Sequence, residues 1–140
     1  MKNRKKGFSL VELLIVLAVI AALIATITPV ALNAIKKSKA TQVAQNLKTL
    51  ASAIENKAYV DGTNAIGTAT TNTAISNLTT YARDVSEEYT ATYIYSAGTY
   101  TVTVTYTGKD VDATIVNEIL KGATGTTGDD ITYTFSFTVY

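Results

Sequence analysis

The chain has 140 residues, of which 47% are hydrophobic and only 16% are charged, and its formal net charge is +1. It contains no Cys and no His, which excludes disulfides, zinc–thiolate sites, imidazole metal sites and Ser-His-Asp triads. The near-zero net charge argues against a nucleic-acid-binding protein unless charge is segregated along the chain.

Charge is in fact unevenly distributed along the sequence. Four positive charges precede Gly7, and no charged residue occurs between residues 13 and 35. Residues 36–60 carry five lysines and one glutamate, whereas residues 61–140 carry nine acidic and three basic residues. The chain therefore consists of a basic leader, an apolar segment, a basic stem and an acidic C-terminal region. Nucleic acid is a possible partner that nothing else indicates.

The segment of residues 8–35 is apolar except for Glu12. A bilayer core about 30 Å thick is crossed by roughly 20 apolar residues in a helix, so this segment is long enough to span a membrane once. It is too long for a cleaved secretory signal, whose apolar core has about 7–15 residues. The basic residues before Gly7 predict a cytoplasmic N-terminus. The lysines that follow the segment oppose this orientation, but the C-terminal region has the composition of a surface-exposed domain.

Helical periodicity continues beyond the apolar segment. Small and large apolar residues recur with the i, i+3, i+4, i+7 spacing of an amphipathic helix. They are Ala40, Val43, Ala44, Leu47, Leu50, Ala51, Ile54 and Ala58. Asp61 and Gly62 form a helix stop signal. The spacing predicts one long helix that ends there and covers a sheet with its apolar stripe.

Pro29 lies inside this helical pattern. A proline removes one backbone hydrogen bond and crowds the preceding turn, so a bend or a local break is expected there. Two interpretations remain open at this point. Pro29 is either a tolerated proline of a membrane helix or a weak point at which the helix unwinds.

The C-terminal region contains two segments with strict alternation. Residues 99–106 place Tyr and Val on one face and Thr on the other, and residues 131–139 alternate large apolar residues with Thr and Ser. This pattern predicts strands with one buried face. Residues 88–95 form a further predicted strand, which a turn at residues 96–98 joins to the next one.

The remaining segments are predicted to be mostly irregular. Residues 62–80 are rich in Thr, Ala and Asn and predict a long surface connection, with a short helix over residues 74–84. Asp112 is the predicted N-cap of a second short helix, and residues 122–130 are a predicted loop. The apolar residues of that helix are Ile115, Val116, Ile119 and Leu120. The fold class is α+β, a long N-terminal helix packed on a small antiparallel sheet of three to four strands.

No residue pattern predicts an enzyme or a bound cofactor. Four aspartates, at positions 110, 112, 129 and 130, are weak candidates for a calcium site because oxygen ligands suit that ion. Their spacing matches no EF-hand loop. The favoured interpretation of Asp110, Asp112, Asp129 and Asp130 is solvated acidic residues in turns, with no metal bound.

Residues 5–16, KKGFSLVELLIV, strongly resemble the prepilin motif of type IV pilins, a family that includes the pseudopilins of type II secretion. The shared features are a short basic leader ending in Gly7, then Phe8, then Glu12 as the fifth residue past the cleaved bond, and an unbroken apolar helix. Pro29 also stands where many members carry a proline. The match covers roughly the first third of the chain. The rest resembles the family only in architecture.

The resemblance implies roles for individual residues. A membrane prepilin peptidase cuts between Gly7 and Phe8 and methylates the new amine of Phe8. In the filament, Glu12 pairs with the Phe8 amine of a neighbouring copy and sets the axial register. Pro29 lets the helix melt locally when the subunit is extracted from the membrane. Many family members close their C-terminal region with a disulfide, and here the final strand is expected to hold that region instead.

The resemblance also implies an organisation and a set of partners. Residues 1–7 are a leader that is removed, 8–35 a transmembrane and filament-core helix, 36–60 a stem helix and 61–140 a sheet-containing head. The subunit is a single-pass inner-membrane protein before assembly and part of an extracellular filament afterwards. Its partners are lipid, the peptidase, an assembly platform with a cytoplasmic ATPase, and other copies in a helical homopolymer. The alternative is a minor pilin or a pseudopilin that forms a short periplasmic pseudopilus.

Overall fold

A computed structural model describes residues 9–140, which fall into two compact units that meet between Ile35 and Lys36. One helix, α1, runs over Leu10–Asp61 and belongs to both units. Its end at Asp61 confirms the predicted stop signal, and Gly62 follows it with a φ of +63°, a conformation that glycine adopts without steric cost.

In the first unit, α1 continues through Pro29 without interruption. Two threonine hydroxyls bond to carbonyls of the preceding turn, Thr26 Oγ1 to Leu23 O at 2.9 Å and Thr28 Oγ1 to Ile24 O at 2.7 Å. Threonine hydroxyls of this kind are among the groups that let apolar helices tolerate proline, because they satisfy carbonyls near the lost backbone bond. No local break is therefore present around Pro29.

In the second unit, residues 36–61 of α1 present the predicted stripe to the core. All eight of its apolar members are buried, and Leu47 and Ile54 are completely inaccessible to solvent. Burying a side chain of that size stabilises a fold by about 1.5–3 kcal/mol. The amphipathic spacing thus determined which face of the stem packs.

The sheet has three long antiparallel strands and two very short ones. The long strands are β2 (Tyr89–Ser96), β3 (Thr99–Tyr106) and β5 (Ile131–Thr138), and the short ones are β1 (Thr73–Ala74) and β4 (Ala123–Thr124). The order across the sheet is β1-β2-β3-β5-β4. All eight residues of β5 pair with β3, so the final strand does tie the C-terminal region into the sheet.

The inner face of the sheet is aromatic and packs on the stem stripe in one hydrophobic core. Tyr100 is fully buried, with ring centroids of Tyr95 and Phe137 at 4.8 and 5.4 Å. Two polar contacts join the stem to this face: Asn46 Nδ2 donates to the Tyr89 hydroxyl at 3.0 Å, and Lys48 Nζ to the Tyr133 hydroxyl at 3.3 Å. The alternation of the strands therefore predicted the buried face correctly.

The outer face of the three long strands carries no charged side chain. Of the twelve residues on this face, eleven are Thr or Ser and the twelfth is Ile94. Three pairs of hydroxyls on β3 and β5 lie within hydrogen-bond distance, Thr99–Thr138, Thr101–Ser136 and Thr103–Thr134, at 3.4, 3.1 and 2.9 Å. Cross-strand threonine pairs of this kind add modest stability to a sheet.

The segment after α1 differs from its prediction. Residues 74–84 do not form the expected helix, because Ala74 belongs to β1 and only Leu78–Thr80 adopt a short 3-10 turn. Tertiary hydrogen bonds decide the outcome: Ile75 N donates to Ala91 O at 2.8 Å, which draws this segment into an extended path beside β2. A weak local helical preference is easily overridden in this way.

Tyrosine hydroxyls hold the connection that precedes β1. Tyr100 donates to Gly67 O and Tyr81 to Ala65 O, each at 2.5 Å. Gly67 has a φ of +117°, and a Cβ at this position would meet the Tyr93 hydroxyl. The long surface connection is thus fastened to the sheet by side chains rather than by its own secondary structure.

The region between β3 and β5 contains the predicted second helix, α2 (Ala113–Ile119). Its N-cap is Asp112, whose carboxylate accepts from Thr114 N at 2.9 Å, as expected. The helix is one residue shorter than predicted, since Leu120 is its C-cap. Residues 122–130 are not only a loop, because Ala123 and Thr124 pair with β5 as β4.

Candidate functional site

The predicted processing site lies at the N-terminal end of the chain. Gly7 and Phe8 fall outside residues 9–140, so their arrangement is not described. Glu12 lies within the first turn of α1, two positions after its first residue, Leu10. The structure therefore places the predicted assembly carboxylate at the start of the helix, and it is the fifth residue past the predicted cleavage point.

Ser9 and Glu12 form a reciprocal pair of hydrogen bonds around the helix start. Glu12 N donates to Ser9 Oγ at 3.2 Å, and Ser9 N donates to Glu12 Oε2 at 3.3 Å. The first intrahelical bond, from Leu13 N to Ser9 O, has a length of 3.1 Å. This arrangement is a capping box, which satisfies two backbone N–H groups that would otherwise lack partners at a helix N-terminus.

Glu12 is the acidic residue in the first turn of α1. The N-terminus of a helix carries a partial positive charge, and an acidic side chain in the first turn is stabilised by about 0.3–1 kcal/mol when exposed. Glu12 is the single charged residue in an otherwise apolar segment, where a carboxylate without partners is costly. The cap supplies partners for it within its own chain.

The helix surface that follows Glu12 is apolar and uncovered. Fifteen large hydrophobic residues between positions 10 and 35 are at least 46% exposed. Within the described part of the chain, α1 is the one helix long and apolar enough to cross a membrane. Lipid or other apolar helices are the environments that match such a surface.

Pro29 lies on the same helix, seventeen residues after Glu12, which corresponds to about 25 Å along the axis at 1.5 Å per residue. The two residues are therefore not brought together into one site. Whether Pro29 marks a point of unwinding stays a prediction.

The four candidate calcium ligands do not come together. No group of three or more acidic side chains within residues 9–140 is arranged to hold a metal ion. Asp112 caps α2, Asp129 accepts from the Thr126 hydroxyl, and Asp110 accepts from Tyr106.

Asp110 joins the stem to the β3–α2 connection. Its Oδ1 accepts from the Tyr106 hydroxyl at 2.7 Å, and its Oδ2 lies 3.4 Å from Lys39 Nζ. The hydrogen bond from Tyr106, together with the charge of Lys39, lowers the pKa of Asp110. Burial and the bond to Asp110 raise the pKa of Tyr106 well above its ordinary value. This cluster ties the start of the stem to the head.

The head has two grooves next to the stem helix. Two adjoining cavities of about 200 and 230 Å³ lie beside the stem, and both are lined by Gln42, Asn46, Ser86 and Tyr89. Arg83 and Asp84 also line the first cavity, and Glu88 and Asp110 also line the second.

Sequence reasoning missed Ser9. Its signal was present, because Ser-x-x-Glu directly before an apolar run is the sequence signature of a capping box. Residues 9–12, SLVE, match it. As part of a processing signal alone, the motif assigns no local role to its serine.

Comparison with protein families gives one match. The model of the prokaryotic N-terminal methylation motif matches residues 2–28, which include Ser9, Glu12 and residues 10–28 of the exposed apolar segment. Comparisons with curated proteins and with solved structures find no match. The chain carries the prepilin signature that type IV pilins and pseudopilins share, on a long helix packed against an antiparallel sheet.

Proposed function

We propose that this protein is a structural subunit of a type IV pilus. It is inserted in the inner membrane as a prepilin, cleaved after Gly7, N-methylated at Phe8 and polymerised helically into a surface filament. The single observation that carries the proposal is the uncovered apolar surface of residues 10–35, most of which lies within the methylation motif. A chain with such a surface needs lipid around it before assembly and other apolar helices around it afterwards.

Cleavage changes the charge of the N-terminus. The leader carries Lys2, Arg4, Lys5 and Lys6, and its removal takes the formal net charge from +1 to −3. Such positive residues hold an N-terminus on the cytoplasmic side of a membrane. Their loss makes the mature helix easier to extract by an assembly platform driven by a cytoplasmic ATPase.

Cleavage also creates the partner for Glu12. An unperturbed α-amine has a pKa near 8 and is largely protonated at neutral pH. In the filament the Phe8 amine of one copy pairs with Glu12 of its neighbour, which fixes the axial register more than it adds stability, since desolvation offsets much of the Coulomb attraction. A head-to-tail contact that does not close on itself generates an open helical polymer.

The test combines processing and assembly in the native host. Depletion of the prepilin peptidase, and separately Glu12→Ala, are compared with the wild type for sheared surface filaments and for the N-terminal residue of the product. Glu118→Ala is the matched control, because Glu118 is an exposed carboxylate on α2. We expect a mature chain starting with methylated Phe8, filaments in the wild type and the control, and none in Glu12→Ala.

The outcomes separate the candidate roles. A wild-type protein that still starts at Met1 and forms no filaments overturns the proposal. A processed protein found only in trace amounts in sheared filaments supports a minor pilin, and a processed protein confined to the periplasm supports a pseudopilin. The small, Thr-rich head without large insertions favours the abundant subunit.

A further inference from the structure

We infer that Lys36 and Lys37 bind the headgroup phosphates of anionic phospholipids at the non-cytoplasmic surface of the membrane. The two lysines directly follow the apolar segment, and both side chains are exposed. This assignment rests on the proposed function, which sets the orientation of α1 in the membrane. The ligand is a lipid whose headgroup carries a net negative charge, such as phosphatidylglycerol.

The position of the two lysines along α1 places them at the level of the lipid headgroups. Between Glu12 and Lys36 the helix has 23 residues, none of them charged. At 1.5 Å per residue this length is about 35 Å, whereas the hydrocarbon core of a bilayer is about 30 Å thick, with the headgroup regions just beyond it. When residues 13–35 cross the membrane, Glu12 and Lys36 therefore lie close to its two surfaces.

Within residues 9–140, neither Lys36 nor Lys37 has an acidic partner. Residues 13–54 include no Asp or Glu, which excludes the ion pairs that form between helix residues three or four positions apart. The salt bridges in the described part of the chain are made by Lys39 and Lys57 instead. The ammonium groups of Lys36 and Lys37 are therefore available to an anion outside the protein.

Anionic lipid is the anion that matches this position. A lysine side chain can lie with its apolar stem along the end of the membrane segment and its ammonium group among the headgroups. A surface of anionic lipids has a negative potential that attracts lysines and falls off within a Debye length of about 8 Å. Zwitterionic headgroups carry a compensating positive charge, so they attract an ammonium group less.

Cleavage of the leader increases the importance of this contact. Four positive residues precede Gly7 and leave with the leader. The mature N-terminus then carries one α-amine opposite Glu12, whereas Lys36 and Lys37 remain at the other end of the apolar segment. Interfacial lysines anchor a helix end at its own membrane surface. The mature subunit is thus held to lipid mainly at its non-cytoplasmic end, and extraction must break these contacts.

The test measures lipid binding to the purified full chain in maltoside micelles. Phosphatidylglycerol and, separately, phosphatidylcholine are titrated in, and bound lipid is counted by native mass spectrometry. Lys36→Gln/Lys37→Gln removes both charges, and Lys36→Arg/Lys37→Arg keeps them. Lys109→Gln/Lys121→Gln is the matched control, because it removes two exposed charges outside α1. Every protein keeps the leader, so the leader contributes equally to each titration.

We expect the wild type to bind phosphatidylglycerol more tightly than phosphatidylcholine. One lysine near an anionic membrane surface contributes about fivefold in affinity, so Lys36→Gln/Lys37→Gln should weaken phosphatidylglycerol binding roughly twentyfold. Binding of phosphatidylcholine should change much less. The arginine pair and the control pair should keep the preference of the wild type, and retention with arginine shows that the charge is what binds.

Four results overturn the inference: equal affinity of the wild type for the two lipids, no loss in the Lys36→Gln/Lys37→Gln protein, the same loss in the arginine pair, or the same loss in the control pair. Filaments that disappear from the native host in the glutamine pair, with lipid binding unchanged, would assign these lysines to a contact between copies instead.

Failure of the proposed function looks different from failure of this lipid site. In that case the wild-type protein keeps Met1 and forms no filaments in the native host. Lipid binding in micelles requires neither cleavage nor assembly, so it still reports whether Lys36 and Lys37 bind anionic headgroups.

Discussion

At the scale of single residues, Gly67 is a position where the backbone and a buried ring both exclude a side chain. Its φ is +117°, and a Cβ would meet the hydroxyl of Tyr93. We expect Gly67→Ala to destabilise the head by about 2–4 kcal/mol, since backbone strain and overpacking act together. Thermal unfolding in mild detergent, followed by circular dichroism, measures the loss.

Gly62→Ala is the control for this substitution. Gly62 also has a positive φ, of +63°, but its missing Cβ would have no neighbour within 4 Å. Only the left-handed backbone cost of about 1 kcal/mol is expected there. Equal losses at the two glycines would show that the contact with Tyr93 is unimportant.

Asp110 gives the head a pH dependence of known sign. Its pKa is lowered in the folded state by the Tyr106 hydrogen bond and by Lys39, so its contribution is present above the unfolded pKa of about 3.9 and is lost as the pH falls through the lower folded value. Asp110→Asn should therefore flatten the loss of stability in acid. Because the side chain is 55% exposed, the difference should stay below about 1 kcal/mol.

Denaturant unfolding at pH 7 and pH 3 tests this expectation. Asp130→Asn is the matched control, since the Asp130 side chain makes no hydrogen bond to residues 9–140, and it should retain the acid dependence of the wild type. The pKa of Tyr106 is raised in the folded state, so its contribution to stability has the opposite pH dependence. Its contribution is complete below the ordinary tyrosine value of about 10 and is lost only at more alkaline pH. An Asp110→Asn protein with the full acid dependence would contradict the assignment.

At the scale of elements, the two parts of α1 should respond differently to the same substitution. Leu47 is completely buried in the stem, whereas Leu32 is 53% exposed. Leu47→Ala should cost about 2–5 kcal/mol of head stability through lost burial and a cavity, and Leu32→Ala should change it by less than about 0.5 kcal/mol. Guanidinium unfolding followed by tyrosine fluorescence compares them, and similar losses would argue against this division of α1.

The long elements were predictable from sequence because each carries a strong periodic signal. The eight-residue stem stripe and the alternation of residues 99–106 both mark a buried face directly. The short strands β1 and β4 carry no such signal, since two residues have no period. They form because β2 and β5 each have an edge that β3 does not pair, and short segments of the connections bond to these edges. The helix expected over residues 74–84 does not form for the same reason, because the start of this segment pairs with the edge of β2.

The candidate site was predictable in its chemistry but not in its local geometry. Gly7, Phe8 and Glu12 are recognisable because the processing motif requires those residue types at that spacing, and their roles stay predictions. The contribution of Ser9 depends on where the helix starts, and helix boundaries are set by cap geometry that periodicity does not report.

At the scale of the whole molecule, stability and membrane affinity should be separable. Every buried core residue in the described part of the chain lies at position 40 or later. A protein of residues 36–140 should therefore be soluble and unfold cooperatively, with a midpoint within a few degrees of that of the full chain in detergent. Calorimetry and analytical ultracentrifugation measure both properties.

Leu47→Ala in the shortened protein is the internal control, and it should lower the midpoint as much as in the full chain. Aggregation of the shortened protein, or a broad non-cooperative transition, would show that residues before Lys36 contribute to the core of the second unit.

The hydroxyl-covered outer face of the sheet has a consequence for how the head behaves in solution. Threonine and serine do not titrate in the range where proteins fold, and the twelve outward positions of the three long strands hold no charged residue. The net charge of the head and its pH dependence are therefore determined by its loops and its stem. This face itself stays uncharged over the pH range in which proteins fold. Binding to this face should depend less on ionic strength than binding to the charged loops of the head.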